Sequence, residues 1–252
     1  MGTALGGKVG NTQMNKIKIS ETISETPYSR VSYCYLNGEK AVLKTKKEAI
    51  ITNSISTEIE IHQFLNKYSL CPEILEFDLQ NNHIVYENIQ FSVENSKYNQ
   101  VFLKIFGETV RKLHALNYKN QHISSFDNKI ENYRNILSSN STSEIQKGFA
   151  LFDNLYKNPT KLVFCHNDLN PMNIFLDKKM QFIDWEYSGL NMPIYEIASI
   201  KKSFNFSSDQ FKIFLKAYGQ DFNLNDINEF EILVGCIEKI WQKVTDRQKN
   251  IY

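Results

Sequence analysis

The sequence predicts an α+β chain of two lobes: an N-terminal antiparallel sheet carrying one helix, and a larger, mainly helical C-terminal lobe. Three observations lead there. Before residue 90 the apolar residues alternate in short runs broken by Asn-Gly and Asn-Asn turn signals. After residue 100 they recur at helical spacing. Between the later helices, two short apolar strands end in carboxylates, in Phe164-Cys165-His166-Asn167-Asp168 and Phe182-Ile183-Asp184.

The elements follow in order. Met1 to Gly10 is small and Gly-rich, without the apolar core of a secretory leader. Gly6-Gly7-Lys8-Val9-Gly10 lacks P-loop spacing and has no strand before it, so residues 1–13 read as a disordered or added tail. Met14 is a candidate natural start, because strand pattern begins just after it with Lys16-Ile17-Lys18-Ile19. Arg30 to Leu36 is β-rich, Asn37-Gly38 is a hairpin signal, and Lys40-Ala41-Val42-Leu43-Lys44 returns. Thr57 to Tyr68 reads as a helix stopped by Pro72. Glu73–Asp78 and His83–Tyr86 are two more strands, turned by Asn81-Asn82, and the polar stretch from Glu87 to Asn99 joins the lobes. Val101 to Leu116 carries a broad apolar stripe. One or two helices fit Asn128 to Tyr156. Helices at Ile194–Ser203, Asp209–Tyr218 and Asp226–Lys249 finish the chain. The division is therefore 1–13 tail, 14–90 N-terminal lobe, and 91–252 C-terminal lobe.

Composition excludes several classes. The 252 residues are 42% hydrophobic and 23% charged, and the formal charge of +1 gives no footing for nucleic acid or an acidic membrane surface. No apolar run is long enough to span a bilayer, so no membrane insertion is expected. Cys34, Cys71, Cys165 and Cys236 form no CxxC pair and read as free thiols of a cytoplasmic protein. Composition leaves the oligomeric state open.

The chemistry concentrates in Cys165-His166-Asn167-Asp168-Leu169-Asn170-Pro171-Met172-Asn173 and in Ile183-Asp184-Trp185-Glu186-Tyr187. Magnesium and a polyphosphate want hard oxygen ligands, which Asn173 and Asp184 supply. Asp168 and His166 are the candidate catalytic residues. Asp168 is the base for a substrate hydroxyl, and His166 shares its face of the loop and braces it by hydrogen bonds. Phosphoryl transfer from ATP with Mg2+ is the reaction class that uses this set.

These segments resemble the aminoglycoside phosphotransferase and choline kinase superfamily, and within it the choline/ethanolamine kinase family, particularly its short bacterial members. The resemblance implies a protein-kinase-like two-lobe fold. It implies that Lys44 steadies the nucleotide phosphates, with Glu58 as its ion-pair partner and Glu60 as the competitor. It makes Tyr86-Glu87-Asn88-Ile89 the hinge, with the backbone of Glu87 and Ile89 at the adenine, and it makes His114 structural. Two departures stand out. The turn that should cover the phosphates, Ser24-Glu25-Thr26-Pro27-Tyr28-Ser29-Arg30, has no glycine; its hydroxyls, Ser29 among them, would replace backbone contacts, and Pro27 removes a donor. The family's usual Asp is Glu196 here, a carboxylate on a longer arm.

A quaternary ammonium is recognised by aromatic faces and nearby negative charge, each cation–π contact contributing roughly 0.5–2 kcal/mol. The C-terminal half offers Trp185, Tyr187, Tyr195, Tyr218, Trp241 and Tyr252. Tyr187, Tyr195 and Trp241 are the expected pocket walls, with Glu186 supplying charge. Residues 185–252 hold nine Asp and Glu against eight Lys and Arg, which favours a small monocation over a polycationic aminoglycoside. The expected activity is phosphorylation of choline or a related amino alcohol. Ethanolamine, thiamine, an aminoglycoside or a sugar are alternative acceptors, and a nucleotide-binding pseudokinase-like module is the alternative of another class.

Overall fold

A computed structural model describes residues 17–26, 28–47, 52–89, 93, 98–118, 123–137, 141–159 and 161–249. The expected tail, Met14, Lys16, Pro27 and Tyr252 lie outside these residues.

The N-terminal lobe is one antiparallel sheet in the order β1-β2-β3-β5-β4, from β1 (Lys18–Glu25), β2 (Ser29–Leu36), β3 (Glu39–Lys46), β4 (Ile74–Asp78) and β5 (His83–Glu87). Its period of two sorts side chains onto two faces. Cys34, Leu36, Ala41, Leu43 and Val85 cluster on one face. On the other, Ile84 and Tyr86 pack against Ile55 and Ile59 of helix α1 (Ile55–Asn66). β3 runs two residues past the expected end at Lys44, because Thr45 and Lys46 stay paired with Arg30 and Ser29. Lys44 and Lys46 thereby share the face that meets α1. β1 is exposed along its whole length and bulged twice, so its mixed polar sequence gave little period to read. α1 starts at Ser54, whose hydroxyl accepts the Thr57 N–H at 3.2 Å, and this cap sets Glu58 in the first turn.

The C-terminal lobe holds α2 (Gln100–His114), α3 (Phe126–Leu137), α4 (Ser143–Leu155), α5 (Pro193–Phe204), α6 (Ser208–Tyr218) and α7 (Leu224–Lys249) around the main core. α2 and α6 pack closely at Gly107. A Cβ there would lie 2.5 Å from the Phe214 carbonyl and 2.9 Å from the Tyr218 nitrogen, both backbone atoms that cannot swing aside. Gly107→Ala is therefore expected to lower stability by about 2 kcal/mol despite alanine's better helix propensity, read as a lower urea midpoint at unchanged slope.

Four three-residue strands lie between α4 and α5: β6 (Val163–Cys165), β7 (Ile174–Leu176), β8 (Met180–Phe182) and β9 (Gly189–Asn191). β6 pairs with β9 and β7 with β8. The loop from β6 to β7 and the loop from β8 to β9 are consequently forced side by side. All four cysteines are free thiols. Among the described residues no helix is long and apolar enough to cross a membrane.

Candidate active site

The two adjacent loops carry Asp168 and Asp184, and neither loop is relaxed. Asn167 and Asp184 both sit in the left-handed region, at φ 65° and 66°. A non-glycine residue held there marks a constraint imposed by its surroundings. For Asn167 the surroundings are visible. Its N–H donates to Glu196 Oε1 at 2.6 Å, its Nδ2 donates to the Tyr187 carbonyl at 3.1 Å, and its Oδ1 accepts Asn191 Nδ2 at 2.7 Å. Glu196 Oε2 meets His114 Nε2 at 2.7 Å, and His114 Nδ1 meets the Tyr218 hydroxyl at 2.8 Å. His114, Cys165 and Glu196 bring three ligand types together, but both ring nitrogens of His114 and both carboxylate oxygens of Glu196 already have partners. That cluster is a brace for the loop, and the longer arm of Glu196 reaches it.

His166 is fully buried. Its Nε2–H donates to the Ile183 carbonyl at 2.8 Å, and its Nδ1 accepts the Asp168 N–H at 3.3 Å. Burial holds its pKa below the ordinary value, so the ring is neutral. Its contacts tie the Asp168 loop to the Asp184 loop.

Asn173 Nδ2 donates to the Asp168 carbonyl at 2.9 Å and to Asp168 Oδ2 at 3.0 Å, leaving Asn173 Oδ1 as an oxygen donor. Asn170 Nδ2 lies 3.3 Å from Asp168 Oδ1. Burial, then the charge of Asp184, push the Asp168 pKa up to about 7, against the pull of the two amides.

Lys44 Nζ lies 2.8 Å from Glu58 Oε1, 2.6 Å from Asp184 Oδ1 and 3.5 Å from Glu186 Oε2. Glu60 is not the partner in this set. Lys46, on the same face of β3, lies 3.1 Å from Glu58 Oε2 and 3.5 Å from Glu186 Oε2. Burial opposes the Lys44 ammonium, but Asp184, Glu58 and Glu186 outweigh it and hold its pKa well above the ordinary value. Burial likewise opposes the Glu58 carboxylate, and Lys44 with Lys46 outweigh it to hold Glu58 low. Glu186 is raised by burial, with the two lysines only partly offsetting it. Three carboxylates thus face two ammonium groups. The surplus is negative, and Asp184, the most exposed of the three at 36%, is the one open to the cleft.

The remaining expected residues fall in three places. Ser29 is buried at the start of β2; its N–H donates to Thr26 Oγ1 at 3.0 Å and its hydroxyl lies 3.4 Å from the same atom, so it closes the turn. Glu87 ends β5, where its N–H donates to the Glu73 carbonyl at 3.0 Å and its carboxylate accepts the Glu73 N–H at 2.9 Å; Ile89 follows, half-buried. Tyr187 and Trp241 meet at 6.3 Å edge to face, with Trp241 Nε1 donating to the Tyr187 hydroxyl at 3.1 Å. Tyr195 is buried against Phe126 at 4.5 Å, and Glu186 is drawn into the lysine cluster.

A sequence model of the choline/ethanolamine kinase family matches residues 34–221. The chain belongs to the choline/ethanolamine kinase family. The match takes in the end of β2, β3 to β5, both loops and α1 to α6, and leaves out β1 and α7. Among its relatives, the LicA protein of Haemophilus influenzae is 29% identical over 201 residues, which cover 78% of this chain and 65% of that protein. The chain thus spans less than two thirds of that relative's length. The crystal structure of choline kinase LicA from Streptococcus pneumoniae superposes with a TM-score of 0.76 at 17% identity, covering 92% of this chain and 86% of that one. A LicA structure in complex with AMP gives 0.74 at 18% identity, covering 94% and 86%. The fold is therefore the two-lobe kinase-like fold of this family.

Two further residues hold the family's second loop and left no sequence signal. Asn53 Nδ2 donates to the Trp185 and Ser188 carbonyls, each at 3.1 Å, and Asn53 N–H donates to the Glu186 carbonyl at 2.8 Å. Lys129, buried on α3, donates to the Tyr187 and Ser188 carbonyls. Burial and the neighbouring Lys46 bring its pKa down to about 7. Lys46 did leave a signal: it lies two residues from Lys44 on one strand and so shares its face.

Proposed function

We propose that the chain transfers the terminal phosphoryl group of ATP to the hydroxyl of choline or a close amino alcohol. The observation that carries this reading is the Asp168 carboxylate, held by the Asn170 and Asn173 amides on the loop that lies beside Asp184. The Tyr187–Trp241 pair stands within the same lobe. The acceptor oxygen attacks the terminal phosphorus as the bond to the leaving phosphate breaks, and the hydroxyl proton passes to Asp168. Asn173 keeps the receiving carboxylate aimed through its 3.0 Å bond to Oδ2. Lys44 moves from Asp184 to the nucleotide phosphates, anchored throughout by Glu58. The surplus negative charge of the cluster suits a divalent cation, for which Asp184 and Asn173 Oδ1 are the oxygen donors. Magnesium, when bound, neutralises charge building on the transferring phosphoryl group. Adenine recognition falls to the Glu87 carbonyl and the Ile89 N–H, since Glu73 occupies the Glu87 N–H. Faces of Tyr187 and Trp241 suit the methylated ammonium of choline, which has no N–H to donate.

Coupled ADP detection over choline, ethanolamine, thiamine, an aminoglycoside and a sugar tests the reading, with choline expected to give the highest kcat/KM. ATP binding without turnover on any acceptor would overturn it in favour of a nucleotide-binding module. The pH dependence is a second check. Asp168 must be ionised to accept a proton and its pKa is raised, so kcat/KM is expected to fall tenfold per unit below about pH 7 and to level off above it.

A further inference from the structure

The β1–β2 turn belongs to the nucleotide lobe, yet one of its side chains is built into the other lobe. Tyr28 is fixed at the backbone by its N–H to Thr26 Oγ1 at 3.1 Å and by its carbonyl, which accepts the Lys47 N–H at 2.7 Å. Its ring leaves the sheet. It is 5% exposed and packs with the core of the C-terminal lobe, apart from either cluster of its own sheet. Its hydroxyl donates to Thr245 Oγ1 on α7 at 2.7 Å, and that threonine is itself buried. The ring meets Trp241 edge on at 6.4 Å, one turn before Thr245. Trp241 in turn donates to the Tyr187 hydroxyl. A continuous chain of contacts therefore runs from the phosphate-side turn through Tyr28 and Trp241 to Tyr187, next to Glu186. Burial, and after it the Glu186 charge, raise the Tyr28 pKa, so its hydroxyl remains a donor over the working pH range.

We propose that Tyr28 is a wall of the acceptor pocket supplied by the nucleotide lobe, latched to α7 through Thr245, so that acceptor binding depends on where the phosphate-side turn is docked. The name of the acceptor rests on the amino-alcohol kinase reading; the latch does not. Tyr187 and Trp241 then form only part of the pocket, and the nucleotide lobe completes it. Specificity for the acceptor is thus read partly from the lobe that holds the phosphates, and the hydroxyl is enclosed only when the turn above the phosphates is in place.

The hydroxyl pair gives a specific signature. Removing either oxygen leaves the other buried and unpaired, while removing both leaves an apolar contact. Tyr28→Phe and Thr245→Val are each expected to raise the acceptor KM about fivefold, and the double variant is expected to match either single one rather than multiply them. The KM for ATP stays within about twofold. Tyr28→Ala, which removes the wall, raises the acceptor KM further. Its effect on the latch has a readout that needs no substrate: Trp241 loses its neighbour and its emission shifts to the red, against the constant background of the fully buried Trp185. Acceptor KM values unchanged in all variants, or multiplicative losses in the double one, overturn the proposal. So does an unshifted emission in a folded Tyr28→Ala protein. If the wild-type protein phosphorylates no acceptor, the amino-alcohol reading falls and the emission shift still decides the latch.

Discussion

Asp168→Asn is expected to lower kcat by roughly a thousandfold while nucleotide affinity stays within about threefold. The substitution keeps size and one acceptor oxygen for the amides of Asn170 and Asn173, and removes the proton acceptor. Lys44 and Asp184, which would meet the nucleotide and its cation, do not contact Asp168 directly. Single-turnover kinetics and ATP titration separate the two effects, and near-normal turnover would dismiss Asp168 as the base. The same variant carries an opposite expectation for stability. Asp168 binds its proton more tightly in the folded protein than in the unfolded chain, so ionisation favours the unfolded state. Its destabilisation is absent below the unfolded pKa of about 4, grows as pH rises, and is complete above about pH 7. Asp168→Asn should therefore be the more stable protein at pH 8, by about 2 kcal/mol after allowance for partial exposure, and should lose that advantage at pH 4. A proposed base that weakens its own fold fits the trade-off expected where function, not packing, chose the residue.

Much of this was legible because short-range chemistry carries it. The spacing of His166, Asp168 and Asn173 puts them on one loop, and the apolar triplets around them report a buried ladder. The pairing of β6 with β9 and β7 with β8 needed the structure, since strands of three residues have no measurable period. Glu58 and Glu60 could not be ranked from the helix alone. The Ser54 cap fixes the first turn and turns Glu58 inward to both lysines. Tyr195 was expected as a pocket wall with Tyr187 and Trp241; it lies on α5, buried against Phe126. The Tyr28–Thr245 contact joins residues 217 positions apart, so no local pattern encodes it. The departures in the turn and at Glu196 have different structural consequences. Thr26 supplies a side-chain oxygen that accepts the Tyr28 and Ser29 N–H groups where a glycine turn would have none to offer. Glu196 spans to both His114 and the Asn167 N–H.

Glu58→Ala is expected to be the most damaging single change to the fold, at about 3–5 kcal/mol. A typical domain has only about 5–15 kcal/mol of stability in total. Glu58 is fully buried and each of its oxygens holds a different lysine, Lys44 at 2.8 Å and Lys46 at 3.1 Å. Deleting it leaves two buried ammonium groups with Asp184 and Glu186 as their remaining anions. The surplus charge of the cluster changes as well. Lys44, freed on one side, is drawn wholly toward Asp184, the carboxylate that should be released to hold a cation. Activity in whatever protein remains folded should therefore fall about a hundredfold, the scale of a misplaced reacting group. Urea unfolding gives the first quantity and the coupled ADP assay the second. The pH dependence identifies the cause. Because Glu58 is held below the ordinary carboxylate range, its stabilisation is complete above the unfolded pKa of about 4.3 and is lost as pH falls toward the depressed value. The gap between wild type and variant should accordingly narrow on acidification. A gap that is the same at pH 3 and pH 7 would place the loss in packing rather than in charge. Removing one ammonium along with the carboxylate, as in Glu58→Gln with Lys46→Met, should recover part of the stability. It should not restore turnover, because Lys44 still lacks the anion that holds it off Asp184.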